Sequence, residues 1–243
     1  MRTLSRPIAV SLLSGGMDST VLAYDLVRNG YEVHLLSINY GQRHKTELEF
    51  AKKTAYKLRA EHKIVDFSGL NVLLAGSALT SKDVEVPEGH YSADNMAITV
   101  VPNRNAILLA IATGWAVSLG AEKVAFAAHS GDHAQYPDCR EGFVNRMTSA
   151  MNWGNSAFIH DGFHIDAPYV HITKADIARI GSGLGVPFED TWSCYKGGTT
   201  HCGRCGTCVE RAEAFAAAHV SDPTIYIDPN FWMTAVADHR SSK

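Results

Sequence analysis

Several features that assign a chain at sight are missing here. No uninterrupted apolar run approaches the roughly 18–20 residues of a membrane span. The opening Met1-Arg2-Thr3-Leu4-Ser5-Arg6 has neither the apolar stretch nor the small-residue cleavage site of a secretory leader. A cytoplasmic protein without a membrane partner is expected. Charge of one sign is lacking too: 22 basic against 25 acidic residues leave a net charge of −3. Such a balance provides no basic field for a nucleic-acid partner. There is no internal repeat and no low-complexity segment. The cysteines number five, an odd count, which makes a disulfide framework a poor reading without an export signal. What is present suits a sizeable core: 243 residues, 46% of them hydrophobic, make one large or two small domains. The twelve histidines scatter, and most read as surface or loop residues.

The most informative stretch is Ile8-Ala9-Val10-Ser11-Leu12-Leu13-Ser14-Gly15-Gly16-Met17-Asp18-Ser19-Thr20. An apolar run reads as a buried strand, breaks at two glycines and passes into an amphipathic helix carrying Val21, Leu22, Leu26 and Val27. Free first-turn amides and the positive end of the helix dipole bind phosphate oxygens. Gly15 and Gly16 let the backbone approach, and the hydroxyls of Ser14, Ser19 and Thr20 add donors. The Gly-Lys-Ser/Thr of kinase-type loops is absent, because Asp18 precedes Ser19 and no lysine is there. Ordinary capping by Ser or Asp is the plainer alternative.

Strands are expected near 8–13, 32–39, 63–67, 123–128 and 164–167, and helices near 18–29, 44–59, 105–118, 139–151 and 174–183. This alternation predicts an α/β fold with a Rossmann-like parallel sheet and helices on both faces. Ligands of such sheets bind at the carboxyl ends of the strands, so the loops after residues 13, 39, 67 and 128 should line one site. From about Ala216 onward, Pro223, Pro229 and the pair Phe231-Trp232 suggest a loop packed on the body or on another subunit.

A second constellation is Cys194-x7-Cys202-x2-Cys205-x2-Cys208. Four thiolates so spaced can converge on one tetrahedral metal, and an all-protein ligand set indicates a closed structural zinc site. An iron–sulfur cluster is the rival, although the ferredoxin run continues x3-Cys-Pro and this one does not. His201 is either a spare ligand or an exposed turn residue. The fifth cysteine, Cys139, is either a thiol nucleophile or a small packing residue.

Residues 14–19 resemble the pyrophosphate loop of the ATP pyrophosphatases, which cleave ATP between the α- and β-phosphates. With the cysteines added, the chain resembles the 7-cyano-7-deazaguanine synthase family from Ile8 to about Phe215. The resemblance is carried by residues 14–20, by Asn39-Tyr40-Gly41-Gln42-Arg43-His44, by Val101-Pro102-Asn103-Arg104-Asn105, by Gly131-Asp132-His133-Ala134-Gln135-Tyr136-Pro137-Asp138-Cys139-Arg140, and by the four cysteines. The family often has glycine where this chain has Asn103, a tolerable exchange because Asn also accepts positive φ.

The resemblance implies an adenine nucleotide alpha hydrolase-like fold. Residues 1–190 would form the ATP-binding domain, and residues 191–243 a zinc-binding segment and tail packed on it. The implied enzyme is an ATP-dependent carbon–nitrogen ligase of queuosine biosynthesis, acting as a homodimer. The carboxylate of 7-carboxy-7-deazaguanine is adenylated and ammonia displaces AMP. A second ATP then activates the amide, and loss of AMP leaves the nitrile 7-cyano-7-deazaguanine (preQ0). Leu13, Ser14, Gly15, Gly16, Met17, Asp18, Ser19, Thr20, Tyr40 and Gln42 would bind ATP. Arg104, Asn105, Asp132, Tyr136, Asp138 and Arg140, with Asp18, would bind the acid or act on it.

A loop without lysine needs a counter-cation, so Mg2+ is expected with ATP, and Asp18 holds it, orders the loop or caps the helix. Tyr40 either meets adenine or packs at a strand end. Arg104 either clamps an anion bidentately or lies on the surface. Asp138, or failing it Asp132, accepts the N1–H and amine of the guanine-like edge. The other reading of Asp138 is a helix cap after Pro137. Three further functions fit parts of the pattern: a ligase stopping at the 7-amido compound, a tRNA-modifying pyrophosphatase, and a non-catalytic nucleotide sensor.

Overall fold

The structure, a computed structural model, describes residues 6–42, 46–73, 76–81, 83–91 and 94–241. Arg43 and His44 of the second motif lie outside the described residues. The strands are β1 (Ile8–Leu12), β2 (Glu32–Asn39), β3 (Glu61–Asp66), β4 (Lys123–Ala125) and β5 (His164–Asp166). They form one sheet in the order β3-β2-β1-β4-β5, and every neighbouring pair is parallel. The helices are α1 (Met17–Arg28), α2 (Thr46–Leu58), α3 (Arg104–Leu119), α4 (Glu141–Gly154), α5 (Lys174–Gly183), α6 (Gly206–Ala218) and α7 (Phe231–Ser241).

Strand alternation sorts the core into two layers, because successive side chains point to opposite faces. Ala9, Val33, Leu35 and Ala125 pack against Val21, Leu22, Ala51, Ile177 and Phe215 of α1, α2, α5 and α6. Val10, Leu36, Ile38, Val124 and Ile165 pack against Leu109, Ala112 and Ala116 of α3 and Val144 of α4. β1 is therefore the strand from which the chain order runs outward both ways. This is the switch point where open α/β sheets hold ligands, and α1 starts there.

Where α5 crosses α1, Gly181 admits no side chain: a Cβ there would lie 2.6 Å from both Phe188 and Val21. Overpacking of this kind costs about 1–3 kcal/mol. Gly181→Ala is expected to lower the urea midpoint with an unchanged slope. An unaltered midpoint would mean that the two helices are free to separate.

Two expectations need correction. One described helical stretch, Met96–Leu119, is long and apolar enough to cross a membrane by length and composition. A reading by uninterrupted runs misses it because Asn103, Arg104 and Asn105 break the apolar sequence. Leu109, Ala112 and Ala116 are fully buried in the core against the sheet. The tail, expected as a loop, ends in α7. The Asp228 carboxylate accepts the N–H groups of Asn230 and Phe231 and so starts a helix at Phe231, two residues after Pro229. Ala235, Val236, Phe231 and Trp232 pack on Val209 of α6.

Candidate active site

At the carboxyl end of β1 the chain turns through Ser14-Gly15-Gly16 into α1. Ser14 Oγ lies 3.0 Å from Ser19 Oγ and accepts the Gly16 N–H at 3.2 Å. Ser19 Oγ also accepts the Ser14 N–H at 3.2 Å. The loop is therefore ordered by its own hydroxyls. No side chain caps α1 at Gly16, so the capping reading of Asp18 fails and the first-turn amides stay available for an anion. Gly15 has φ +87°, and a Cβ there would meet the Glu47 carbonyl oxygen at 2.1 Å. Only glycine lets the loop lie on the first turn of α2. The Trp192 N–H binds the Gly15 oxygen at 2.9 Å from the other side.

The loop borders a cavity of about 260 Å³. Leu13, Ser14, Gly16, Met17, Asp18, Ser19, Tyr40, Gln42, Arg104, Asn105 and Asp132 all line it. The segment after β3 contributes Leu79 and Tyr91. Asn103 takes φ +58° at the entrance to α3, the left-handed geometry expected of a residue standing for glycine. The Asn39–Gln42 turn is braced internally: Gln42 Oε1 accepts the Tyr40 N–H at 3.0 Å and Asn39 Oδ1 accepts the Gly41 N–H at 3.2 Å.

The cavity has two charged poles. At one, the half-buried Lys174 Nζ lies 3.0 Å from Asp18 Oδ2 and 2.7 Å from Glu210 Oε2. Burial opposes the Asp18 charge, but Lys174 and His129 hold its carboxyl below the usual range. Burial likewise opposes the ammonium of Lys174, and Asp18, Glu210 and Asp132 outweigh it and push its pKa up. Burial raises the Glu210 carboxyl despite Lys174. His129 Nδ1 accepts the Gly131 N–H, so its Nε2 turns to Asp132, Glu210 and Asp18 at 3.6, 3.9 and 4.0 Å. At the other pole stands Arg104. Burial works against its charge, but a guanidinium keeps its proton in proteins, so Arg104 stays a cation among Tyr40, Tyr195 and Tyr136.

Beside the cavity the Sγ atoms of Cys194, Cys202, Cys205 and Cys208 lie within 4.8 Å of one another, a set that can hold a metal ion. The N–H groups of Arg204 and Cys205 both donate to Cys202 Sγ at 3.3 Å, as suits a thiolate ligand. Gly203 has φ +78°, and a Cβ there would meet the Asp228 oxygen at 1.9 Å. His201 is neither ligand nor exposed turn residue. It is buried against Trp192, and its Nε2 accepts the Ser193 N–H at 3.1 Å.

The model of the queuosine biosynthesis protein QueC family matches residues 8–219. The chain belongs to this family. It is 52% identical over 223 residues to the 7-cyano-7-deazaguanine synthase of Brucella anthropi, covering 92% of this chain and 95% of the relative. It is 50% identical to 7-cyano-7-deazaguanine synthase 1 of Mesorhizobium japonicum, with 94% and 97% covered. Among solved structures, a 4-thiouridine synthetase–RNA complex with bound ATP aligns with a TM-score of 0.51 at 16% identity, over 97% of this chain and 52% of that one. That likeness concerns the fold alone.

Of the remaining sequence candidates, Cys139 lines the cavity, and Thr20, Tyr136, Asp138 and Arg140 lie off it. Thr20 Oγ1 pairs with Thr54 Oγ1 of α2 at 3.4 Å. The Tyr136 hydroxyl is buried 2.7 Å from Thr99 Oγ1. Arg140 is exposed and donates twice to the His133 carbonyl. Asp138 Oδ2 accepts the Asn105 N–H of α3 at 3.1 Å, so it fastens a helix start, though not that of α4, whose cap is Arg140. Asn105 Nδ2 donates to Cys139 Sγ at 3.2 Å, and burial pushes that thiol up, which keeps it protonated and unsuited to nucleophilic attack.

Sequence reasoning missed Lys174, Glu210, His129, Glu47 and the wall that Trp192, Ser193 and Tyr195 form beside Cys194. Lys174 sits at the start of α5 inside the Thr173–Asp176 capping box, which is a signal for a helix and not for a phosphate site.

Proposed function

We propose that this chain is an ATP-dependent, nitrile-forming ligase that converts 7-carboxy-7-deazaguanine and ammonia into 7-cyano-7-deazaguanine. One observation carries the reading: an uncapped phosphate loop at the switch point shares one cavity with two half-buried cations, Lys174 and Arg104. Two anions need two cations here, the triphosphate at the loop and the substrate carboxylate beyond its α-phosphorus.

The α1 amides and Lys174 take the β- and γ-phosphates and stabilise charge that grows on departing pyrophosphate. The missing loop lysine is thus supplied by a residue remote in sequence. Asp18 Oδ1 is buried without a hydrogen-bond partner among the described residues, which fits a site for Mg2+. Held by Asp18, such an ion would supply positive charge to the phosphates. Tyr40 and Gln42 border the adenine end. Arg104 holds the carboxylate in line with the α-phosphorus, which is mainly a positioning task. Asp132, on the cavity wall, is preferred over Asp138 for the guanine-like edge, because Asp138 is committed to Asn105. Thr20, Tyr136 and Arg140 then act as supports. The four cysteines fit a structural zinc ion, and residues 191–243 are read as part of the same domain because Phe215 and Ala218 join the core of α1 and β1.

Isotope tracing tests the reaction. With both carboxylate oxygens labelled as oxygen-18, adenylation at each stage sends one label into each AMP, and the nitrile keeps none. Retention of one label in a final amide favours the ligase that stops there. Label in inorganic phosphate contradicts adenylation altogether. For Arg104→Met, the KM for the deazaguanine acid should rise about 100-fold, with the KM for ATP moving by less than about threefold, since a charge-assisted pair to the acid alone is lost. Equal changes in both would place Arg104 on the nucleotide.

A further inference from the structure

Glu47 is a carboxylic acid on the wall of a cavity that must take a triphosphate. It stands in the first turn of α2, and its own carbonyl oxygen is the group against which Gly15 packs. Its backbone is therefore fixed relative to the phosphate loop. A negative group in this position repels nucleotide unless it serves a proton or a cation. Among the described residues, Arg104, the residue assigned to the substrate carboxylate, favours its ionised form. The carbon that reacts is thus brought to the Glu47 side of the cavity.

We propose that Glu47 is the proton acceptor for the nitrogen nucleophile, taking a proton from incoming ammonium and later from the nitrogen of the adenylated amide. This rests on the ligase reading given above. In the first stage ammonium gives one proton to Glu47 and the ammonia lone pair forms the C–N bond. AMP leaves with the C–O electron pair, and a second N–H proton passes to solvent. In the second stage the amide oxygen displaces pyrophosphate from ATP, leaving two protons on nitrogen. One goes to Glu47 and the other departs with AMP as the C–O bond breaks and the nitrile forms.

The surroundings suit this task. Arg104 of α3, Tyr40 after β2 and Tyr195 of the metal-side segment act electrostatically with Glu47. Burial raises both phenols, so they remain neutral, whereas burial brings the Glu47 carboxyl up to about 7. A base poised near the working pH is the most effective kind.

Glu47→Gln separates the steps. Exchange of labelled pyrophosphate into ATP, driven by the deazaguanine acid without ammonia, should slow by less than about threefold, while amide formation at pH 7 falls about 10²–10³-fold. Hydroxylamine, largely uncharged at pH 7, should restore acyl capture as the hydroxamate to near the unsubstituted rate. The melting temperature of the variant relative to the unsubstituted protein should rise between pH 5 and pH 8. A folded carboxyl raised from its ordinary value stabilises below that value and loses the contribution as pH passes 7. Exchange that falls as far as amide formation would place Glu47 on the nucleotide or its metal and overturn the proposal. Intact amide formation, or an equal loss with hydroxylamine, would overturn it too. Absence of exchange in the unsubstituted protein is a separate result: it removes the ligase reading and the proposal with it.

Discussion

Lys174→Met is expected to lower ATP-dependent turnover about 10³-fold, the scale of losing a preorganised charge from a phosphate-transfer site. It should also destabilise the fold by about 3 kcal/mol, because removing one partner of a buried pair leaves the other uncompensated. Asp18, Glu210 and Asp132 would then face one another with His129 between them and Arg211 acting on Asp18 from further off. The pH dependence follows in sign. In the unsubstituted protein Lys174 helps hold Asp18 below its ordinary value, so this stabilisation is present at neutral pH and lost as pH falls through the folded value. In the variant burial acts unopposed by the lysine and raises the carboxyl. The deficit should be largest near pH 8 and shrink towards pH 4. The double variant Lys174→Met/Glu210→Gln should recover part of the stability and none of the turnover. Denaturation midpoints and steady-state rates on the three proteins check both halves. Recovered turnover in the double variant would reduce Lys174 to a structural counter-ion.

Loss of the metal should cost the fold at least as much. Structural zinc supplies about 10–16 kcal/mol in small zinc modules, comparable with the whole stability of an ordinary domain. Cys205→Ala should bind less than one equivalent of zinc and melt at least about 10 °C lower, the shift of a loss of several kcal/mol in a chain of this size. Activity should disappear together with the fold. The metal segment is part of the cavity wall: Trp192 holds Gly15 through its N–H and donates its indole N–H to the Cys194 carbonyl at 3.0 Å. Metal analysis and thermal melting on the same sample decide the matter. An unchanged melting temperature would make the cluster dispensable. Acid-labile sulfide in the unsubstituted protein would assign iron–sulfur chemistry instead.

Much of this architecture was legible because local signals agreed with one another. The periodicity of β1 and α1 and the glycine turn between them all pointed to one strand–loop–helix, and all five strands and the first five helices occur where period and turn signals place them. The four-cysteine cluster was legible from spacing, since its ligands are close in sequence. Lys174 was not, because its partner Asp18 lies in another element and nothing local marks the pair. Asp138 misled for a similar reason: its carboxylate binds an amide of α3, contributed by a segment remote in sequence. Glu47 resembled any acid in the first turn of a helix until the fold placed α2 beside Gly15. The tail helix stayed hidden because prolines 223 and 229 read as loop, while its start depends on the single carboxylate of Asp228.

The most direct test is product analysis on the zinc-loaded protein with 7-carboxy-7-deazaguanine, ammonium, Mg2+ and ATP. Mass spectrometry of the base and chromatography of the nucleotides should find 7-cyano-7-deazaguanine, with the 7-amido compound as a transient. Each nitrile should be accompanied by two AMP and two pyrophosphate, one pair for each activation. ADP as the only nucleotide product, or an amide that never proceeds to the nitrile, would contradict the account.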